Sequence, residues 1–317
     1  MAVRQSAIVI PVYGQISIAE RAIASVDAHT PLDVPLLIID DAGPERFNFD
    51  LLNQTVTSRR TCELISHSDN HGLVRTVNEA IAATDGRDVV LVNSDVEVLP
   101  GWYEALRGAA SDGLVASASA VADVAGILTV PALLAYRDLP ADERVRGLQR
   151  SRDRLPVAVA SPVAVGHCAY LTRDALAAVG TFDCKFSPGY GEEVDWSLRA
   201  AHRGWRHMAA LHSFVLHQGS TSFGRGLPTW SLQRRHEARL LARYPRQWLG
   251  LRLSFGRRYG TLVAELAAAN VALTEALTVG SDALGPISDQ PKDDGPTASG
   301  LTATSDELRQ ADPAHPS

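Results

Sequence analysis

The chain has 317 residues, 45% hydrophobic and 21% charged, with 24 glycines and 17 prolines, a globular composition that excludes collagen-like and wholly disordered classes. A net charge of -6 provides no basic field for sequence-independent nucleic-acid binding, so nucleic acid is not an expected partner. Cys62, Cys168 and Cys184 lack C-x-x-C spacing and imply neither a disulfide framework nor a structural zinc site; with no signal-peptide pattern after Met1 and no uncharged apolar run of about 18 residues, a cytoplasmic chain is expected.

Ala7-Ile8-Val9-Ile10-Pro11-Val12 is short, rich in β-branched residues and closed by Tyr13-Gly14, which predicts a buried strand. Ile18, Ala22, Ile23 and Val26 share one face of a helix, and Val34 to Ile39 predicts a second buried strand ending at Asp40-Asp41. Cys62 to Ile65 reads as a strand, Leu73 to Ala83 as a helix and Asp88 to Asn93 as a fourth strand. This alternation predicts an α/β fold with a mostly parallel sheet and helices on both faces.

A helix is expected over Trp102 to Ala110. Residues 111–162 give no clear pattern, because small residues, Pro131, Pro140 and the charged run Arg144 to Arg154 compete. Val163 to Thr172 resumes as a strand, Arg173 to Val179 and Glu192 to Arg203 as helices, and Ala209 to Leu216 as an apolar strand that stops at His217. Trp230 to Tyr259 is Arg-rich and helical. It is readable both as a surface lying against a membrane and as a packed helical subdomain with a solvated basic face, the second being the simpler reading. Thr261 to Val279 predicts one more helix, whereas Gly280 to Ser317 has too few large apolar groups to bury a core and is expected to be disordered.

In open α/β sheets ligands bind beyond the carboxyl ends of the strands, and those ends carry Tyr13, Asp40-Asp41 and Asn93-Ser94-Asp95. No G-x-G-x-x-G follows the first strand and no G-x-x-x-x-G-K-[ST] occurs, which argues against dinucleotide redox chemistry and P-loop phosphoryl transfer. Gly189-Tyr190-Gly191 reads as a turn. Asp95 is placed to hold a hard divalent cation against a diphosphate, with Glu97 a candidate to join it; a turn former or helix cap is the competing reading. Glu192-Glu193, with Asp195 nearby, sets like charges at a helix start, which raises one pKa towards the range of a general base; helix capping is the alternative. His202, His207, His212 and His217 recur every five residues, but five residues turn a helix by about 500°, so they form no stripe. Only His217, at a strand end, has a ligand setting, and an ordinary hydrogen-bonded histidine is its alternative.

Taken in this order, the segments resemble the inverting glycosyltransferases of family 2, which have the glycosyltransferase A fold, over roughly Ala7 to Gly224. Bacterial rhamnosyl and glycan-assembly transferases are similar. Ile10-Pro11-Val12-Tyr13 is similar to the family's opening strand, Asp40-Asp41-Ala42-Gly43 to its D-D-x-S/G, and Asn70-His71-Gly72 with Asn78 to its N-x-G helix start. Asn93-Ser94-Asp95 is similar to its D-x-D-type metal motif, Glu192-Glu193-Val194-Asp195-Trp196-Ser197-Leu198-Arg199 to its E-D-x-D-L-x-x-R, and His217-Gln218-Gly219-Ser220 to its late H-x-x-S.

The resemblance implies a nucleotide-sugar transferase domain over 1–225, a helical extension over 226–280 and a disordered tail over 281–317. It implies that Pro11, Tyr13, Asp41, Asn70, Arg75, Asn93, Ser94 and Asp95 bind the donor, a UDP- or dTDP-sugar. Tyr13 stacks on the base and Asp41 accepts its imide N–H. Asp95 and His217 hold Mg²⁺ or Mn²⁺, and Glu193 is the base that deprotonates a glycan or lipid-linked acceptor. Glu192, Asp195 and Trp196 shape the acceptor site, and Arg199 is structural. The basic C-terminal helices leave a peripheral contact on the cytoplasmic face of a membrane as the second reading beside the packed subdomain. Two departures bear on this: the family commonly has Asp where Glu193 stands, and Asn93-Ser94 leaves fewer acidic groups, so the metal binds weakly or arrives with the donor. The competing classes are a catalytically silent sugar-nucleotide or glycan-binding protein and a sugar-phosphate nucleotidyltransferase. The latter wants a Gly-rich, basic loop after the first strand, which Gly14-Gln15-Ile16-Ser17 does not supply.

Overall fold

The computed structural model describes residues 5–57, 59–84, 86–218 and 229–278. Strands β1 (Ser6–Val12), β2 (Leu36–Asp40), β3 (Cys62–Ser66) and β4 (Asp88–Val92) form a parallel block in the order β3-β2-β1-β4. Every residue of β1, β2 and β4 is buried, which is why these segments are continuous apolar runs rather than alternating ones. Alternate residues serve two cores. Ile8 and Ile10 pack with Ile23 and Val26 of α1 (Ile16–His29), and Val9 packs with Val74, Val77 and Ile81 of α3 (Leu73–Ala83). A short helix, α2 (Phe49–Thr55), is started by the Asn48 side chain, which accepts from the Leu51 N–H at 3.0 Å.

Past β4 the direction changes. The chain runs through β5 (Val96–Val98), α4 (Trp102–Ala109) and β6 (Val115–Ala122). All eight residues of β6, VASASAVA, are buried, and their small side chains carry little hydrophobic signal, so this strand escaped the sequence pattern. Two 3-10 segments, Gly126–Leu128 and Pro131–Asp138, lead to α5 (Ala141–Arg152), β7 (Ala158–Ser161), β8 (Cys168–Leu171) and α6 (Arg173–Val179). After α7 (Glu192–His202) comes the long β9 (Arg206–His217). β8 is antiparallel to both β4 and β6, β9 is parallel to β6, and β5 and β7 pair antiparallel with β9. The parallel order therefore holds for β3-β2-β1-β4, and the rest of the nine-stranded sheet is mixed.

The segment 226–280 supplies α8 (Thr229–Arg243), α9 (Pro245–Arg258) and α10 (Gly260–Thr278). By length and composition alone α10 is able to cross a membrane, but Leu262, Ala269, Leu273 and Leu277 are buried in the main core. Its Asn270 Oδ1 accepts from the Ala132 N–H at 2.9 Å, and it lies so close to α5 that a Cβ on Gly147 would stand 2.7 Å from Leu277 Cδ2. The tail expected from 281 onward lies outside the described residues.

Candidate functional site

At the end of β2 the chain turns back over β1. Ala42 takes a positive φ of 54°, and a Cβ on Gly43 would lie 2.2 Å from the Gly14 backbone nitrogen. Only glycine fits that crossing. Gly43→Ala is expected to lower stability by about 1–3 kcal/mol, the usual cost of forcing atoms into a filled space, and a thermal melt matching the wild type would refute the steric account.

Asp41 is 4% exposed and accepts the His71 and Gly72 backbone N–H groups at 2.8 and 2.9 Å, with His67 Nδ1 at 2.8 Å. Gly72, at φ 79°, begins α3, so the motif glycine supplies a conformation that turns its N–H onto Asp41. His67 Nε2 lies 3.1 Å from Glu79, and the His67 and His71 rings stack at 4.0 Å. Asp41, His67 and His71 bring three potential metal-ligand atoms within 4.8 Å of one another. Of these, the Asp41 carboxylate and His67 Nδ1 already bond each other, and the carboxylate is fixed further by the His71 and Gly72 backbone N–H groups. Asp40 has a separate job, pairing with Arg46 at 2.6 Å.

Tyr13 is half-buried at the β1 exit, while Pro11 is buried inside β1 opposite Ile39. Asn70 and Arg75 are exposed around the start of α3. Asn78 is structural: its amide donates to Phe182 O at 2.8 Å and accepts from Phe182 N–H at 3.0 Å, tying α3 to the segment that leads to α7. Asn78→Ala is expected to cost about 1–3 kcal/mol in denaturant unfolding, because it strands buried backbone groups. An unchanged midpoint would contradict this.

Asn93-Ser94-Asp95 forms the turn from β4 into β5, with the Asn93 N–H donating to His167 O at 2.9 Å and the Val96 N–H to Asn93 O at 3.1 Å. Because β5 pairs antiparallel with the end of β9, Val96 stands opposite His217, and two residues far apart in sequence meet. His217 Nε2 lies 3.3 Å from Asp95 Oδ1. Its Nδ1–H donates to Val124 O at 2.7 Å, and its backbone N–H to the Asp123 carboxylate at 2.7 Å. A ring nitrogen committed to a backbone carbonyl leaves the other fixed and aimed, as in metal-bound histidines. Burial disfavours a charged His217, but the Asp95 carboxylate, the Val124 carbonyl and Asp123 outweigh it and raise the pKa. One hard carboxylate with one imidazole so oriented fits a divalent cation such as Mn²⁺. Glu97 does not join them; its carboxylate lies 3.4 Å from Arg21 and 3.6 Å from Arg137. Asn93 and Ser94 are half-buried beside Asp95, and Gly219 and Ser220 of the late motif lie outside the described residues.

Beside this pair sits a residue that sequence reasoning missed. His167 is 5% exposed, its ring stacks on His217 with centroids 5.4 Å apart, and burial, reinforced by His217, pushes its pKa down to about 3. It precedes β8 with no motif around it. The other histidines of the five-residue series lie elsewhere: His207 bonds Ser117 Oγ at 2.8 Å, and His212 bonds Leu155 O at 2.9 Å.

Tyr190 (φ 72°) and Gly191 (φ 99°) make the expected turn, which His236 of α8 braces by hydrogen bonding Tyr190 O at 2.7 Å. Glu192 and Glu193 follow at the start of α7. Glu192 is buried, and its pKa is well above the usual 4.5 through burial first and the Glu193 charge second. Burial also raises Glu193, whose Oε2 accepts the Gly191 N–H at 3.3 Å. Both carboxyls are held above the ordinary value, and the two titrate as a pair.

Asp195 and Trp196 do not shape an acceptor site, since both are wholly buried. Asp195 pairs with Arg199 at 2.9 Å and with Arg243 of α8 at 2.5 Å, and accepts from the Tyr244 hydroxyl at 3.0 Å. It locks the α7 helix to α8. The Trp196 indole N–H donates to Gly180 O at 2.8 Å, with the ring edge-on to Phe182. The helical period turns these two side chains inward.

Among solved structures, 301 chains resemble this one. GalNAc-T7, with UDP, GalNAc and Mn²⁺, superposes with a TM-score of 0.59 at 16% identity over 78% of this chain and 50% of its own. This chain therefore spans half the length of that relative. The mannosyltransferase PcManGT from Pyrobaculum calidifontis, in complex with GDP-Man and Mn²⁺, superposes with a TM-score of 0.53 at 16% identity over 90% and 77% of the two chains. No curated protein matches by sequence. The sequence model of glycosyl transferase family 2 matches residues 7–180, more than half of the chain, from β1 to the end of α6. Those strands deliver Asp41 and Asp95 to one end of the glycosyltransferase A sheet, and the chain belongs to glycosyl transferase family 2.

Proposed function

We propose that the protein moves a sugar from a nucleoside-diphosphate sugar, a UDP- or dTDP-sugar, to a hydroxyl of a glycan or lipid-linked acceptor, with inversion at the anomeric carbon. The observation that carries this reading is the Asp95–His217 pair at the β4 and β9 ends, with its imidazole locked in a ligating orientation. The Mn²⁺ and nucleotide bound by the two solved relatives add to it.

Asp41, held by the α3 backbone, accepts the imide N–H of the base, with Tyr13 against the ring and Asn70, Arg75, Asn93 and Ser94 around the donor. Asp95 and His217 hold Mg²⁺ or Mn²⁺, which when bound neutralises charge on the diphosphate leaving group. Glu193 takes the proton of the acceptor hydroxyl while its oxygen attacks the anomeric carbon from the face opposite the diphosphate. One C–O bond forms as the other breaks, and no covalent enzyme intermediate is required. Glu192 lies next to the incoming acceptor. The exposed Leu241 and Leu249 among the arginines of α8 and α9 suit a peripheral contact with anionic lipid on a cytoplasmic membrane face.

The test is nucleotide release from UDP-, dTDP- and GDP-sugars with and without acceptor, with the product's anomeric configuration read by NMR. Acceptor-dependent release with inversion is expected. A retained configuration overturns the single displacement, and tight donor binding without any turnover would favour a silent binding protein.

A further inference from the structure

His67 follows β3 and stands buried between two carboxylates. Its Nδ1 lies 2.8 Å from Asp41 Oδ1, and its Nε2 lies 3.1 Å from Oε2 of Glu79, an exposed residue of α3. A neutral imidazole has only one N–H, so a ring with an acceptor at each nitrogen satisfies both only when doubly protonated. The bond to Asp41 is then charge-assisted, the stronger class. The ring is also pinned in place. The His67 backbone N–H donates to Asp40 O at 2.9 Å, Arg46 donates to the His67 carbonyl at 2.6 Å, and the His71 ring stacks on His67 with centroids 4.0 Å apart.

The two oxygens of Asp41 are not equivalent. Among the described residues, Oδ1 takes two donors, His67 Nδ1–H and the His71 N–H, whereas Oδ2 takes one, the Gly72 N–H. A carboxylate oxygen has two lone pairs, so Oδ1 is filled and the acceptor capacity left on Asp41 is on Oδ2. The two backbone N–H groups alone would put one bond on each oxygen and leave that choice open. His67 closes it, and Glu79 holds His67 from the other side.

We propose that His67 is a positioning residue for donor recognition: backed by Glu79, it occupies Asp41 Oδ1 so that Oδ2 receives the imide N–H of a uracil or thymine base. This rests on the reading of Asp41 as the base acceptor given above. Because His67 acts through Asp41, its effect is confined to the imide contact and leaves binding of the diphosphate and its cation alone.

The experiment compares the full chain with His67→Phe, which keeps a ring against His71 and removes both donors, and with His67→Asn, whose amide restores a donor near the Nδ1 position. Calorimetry in saturating Mn²⁺ measures three probes. They are whichever of UDP and dTDP the wild type binds better, CDP, whose cytosine has a lone pair where uracil and thymine have the imide N–H, and inorganic pyrophosphate, which has no base. The wild type is expected to prefer its nucleotide over CDP about tenfold or more, the scale of one hydrogen bond to a charged group. That preference falls to about threefold or less in His67→Phe and partly recovers in His67→Asn, while pyrophosphate affinity stays at the wild-type value. Glu79→Gln, at an exposed side chain, should lower the preference by about threefold, and it is the variant to read if His67→Phe does not fold.

An unchanged preference in the variant read overturns the proposal. So does a loss of pyrophosphate affinity as large as the loss of nucleotide affinity, which would give His67 a part in the fold alone. A wild type that binds its nucleotide and CDP equally overturns Asp41 as the imide acceptor, and this proposal with it, without touching acceptor-dependent transfer. A wild type that binds neither UDP nor dTDP overturns the donor reading itself.

Discussion

Glu193→Gln is expected to cut turnover by about a hundredfold or more while donor affinity stays within about twofold, because the amide keeps the shape of the side chain and loses its basicity. The structure sharpens this expectation, since Asp195 is held by two arginines and is no competitor for the proton, leaving Glu192 as the alternative. Glu192 and Glu193 both titrate above the ordinary carboxylate value of 4.5. The rate should therefore rise with pH through a limb above 4.5, as Glu193 becomes able to accept the proton. Burial, and not a Glu192 charge, raises Glu193, and the Glu192 hydrogen bond lowers it, so Glu192→Gln, which keeps an N–H donor, should leave that limb in place. The stability effect has the opposite sign. A carboxyl pair with raised native pKa values favours folding fully below 4.5 and loses that contribution as pH rises through the native values, so Glu192→Gln should flatten the decline in stability. Normal turnover in Glu193→Gln with a dead Glu192→Gln would move the base by one position.

Asp95→Ala is expected to weaken donor binding and slow turnover together, on the order of a thousandfold in kcat/KM, because the carboxylate is the hard ligand of a cation that contributes several kcal/mol to leaving-group stabilisation. His217→Ala should act the same way more mildly, as its aim at Asp95 depends on the Val124 carbonyl rather than on charge. Chelator should silence the wild type and Mn²⁺ should restore it. Equal activity in chelator and in excess Mn²⁺ would remove the metal from the reaction.

The amino-acid sequence by itself determined the parallel block, because β1, β2 and β4 are buried on both faces and must be written in uninterrupted apolar residues. It also determined which polar groups stand at the strand ends, Asp41 and Asp95 among them, since a strand's length fixes where its last residue falls. What lay beyond it were partners set by pairing between distant segments. The antiparallel register of β5 on β9 brings His217 to Asp95, and that of β8 on β4 lays His167 against Asn93. Nothing local to Cys168 or Val96 encodes either meeting.

The tertiary structure also decided the roles within α7. At sequence level Glu192, Glu193 and Asp195 lie within one helical turn, with the family resemblance favouring Glu193 as base and giving Glu192, Asp195 and Trp196 to the acceptor site. Packing of α8 through Arg243 and Tyr244 turns Asp195 into a buried ion pair, and the Gly180 carbonyl claims Trp196. Residues 111–162 were illegible for a different reason. Ala and Ser suffice to fill β6 because β8, β9 and α4 close around it, so its burial comes from neighbours and not from its own hydrophobicity.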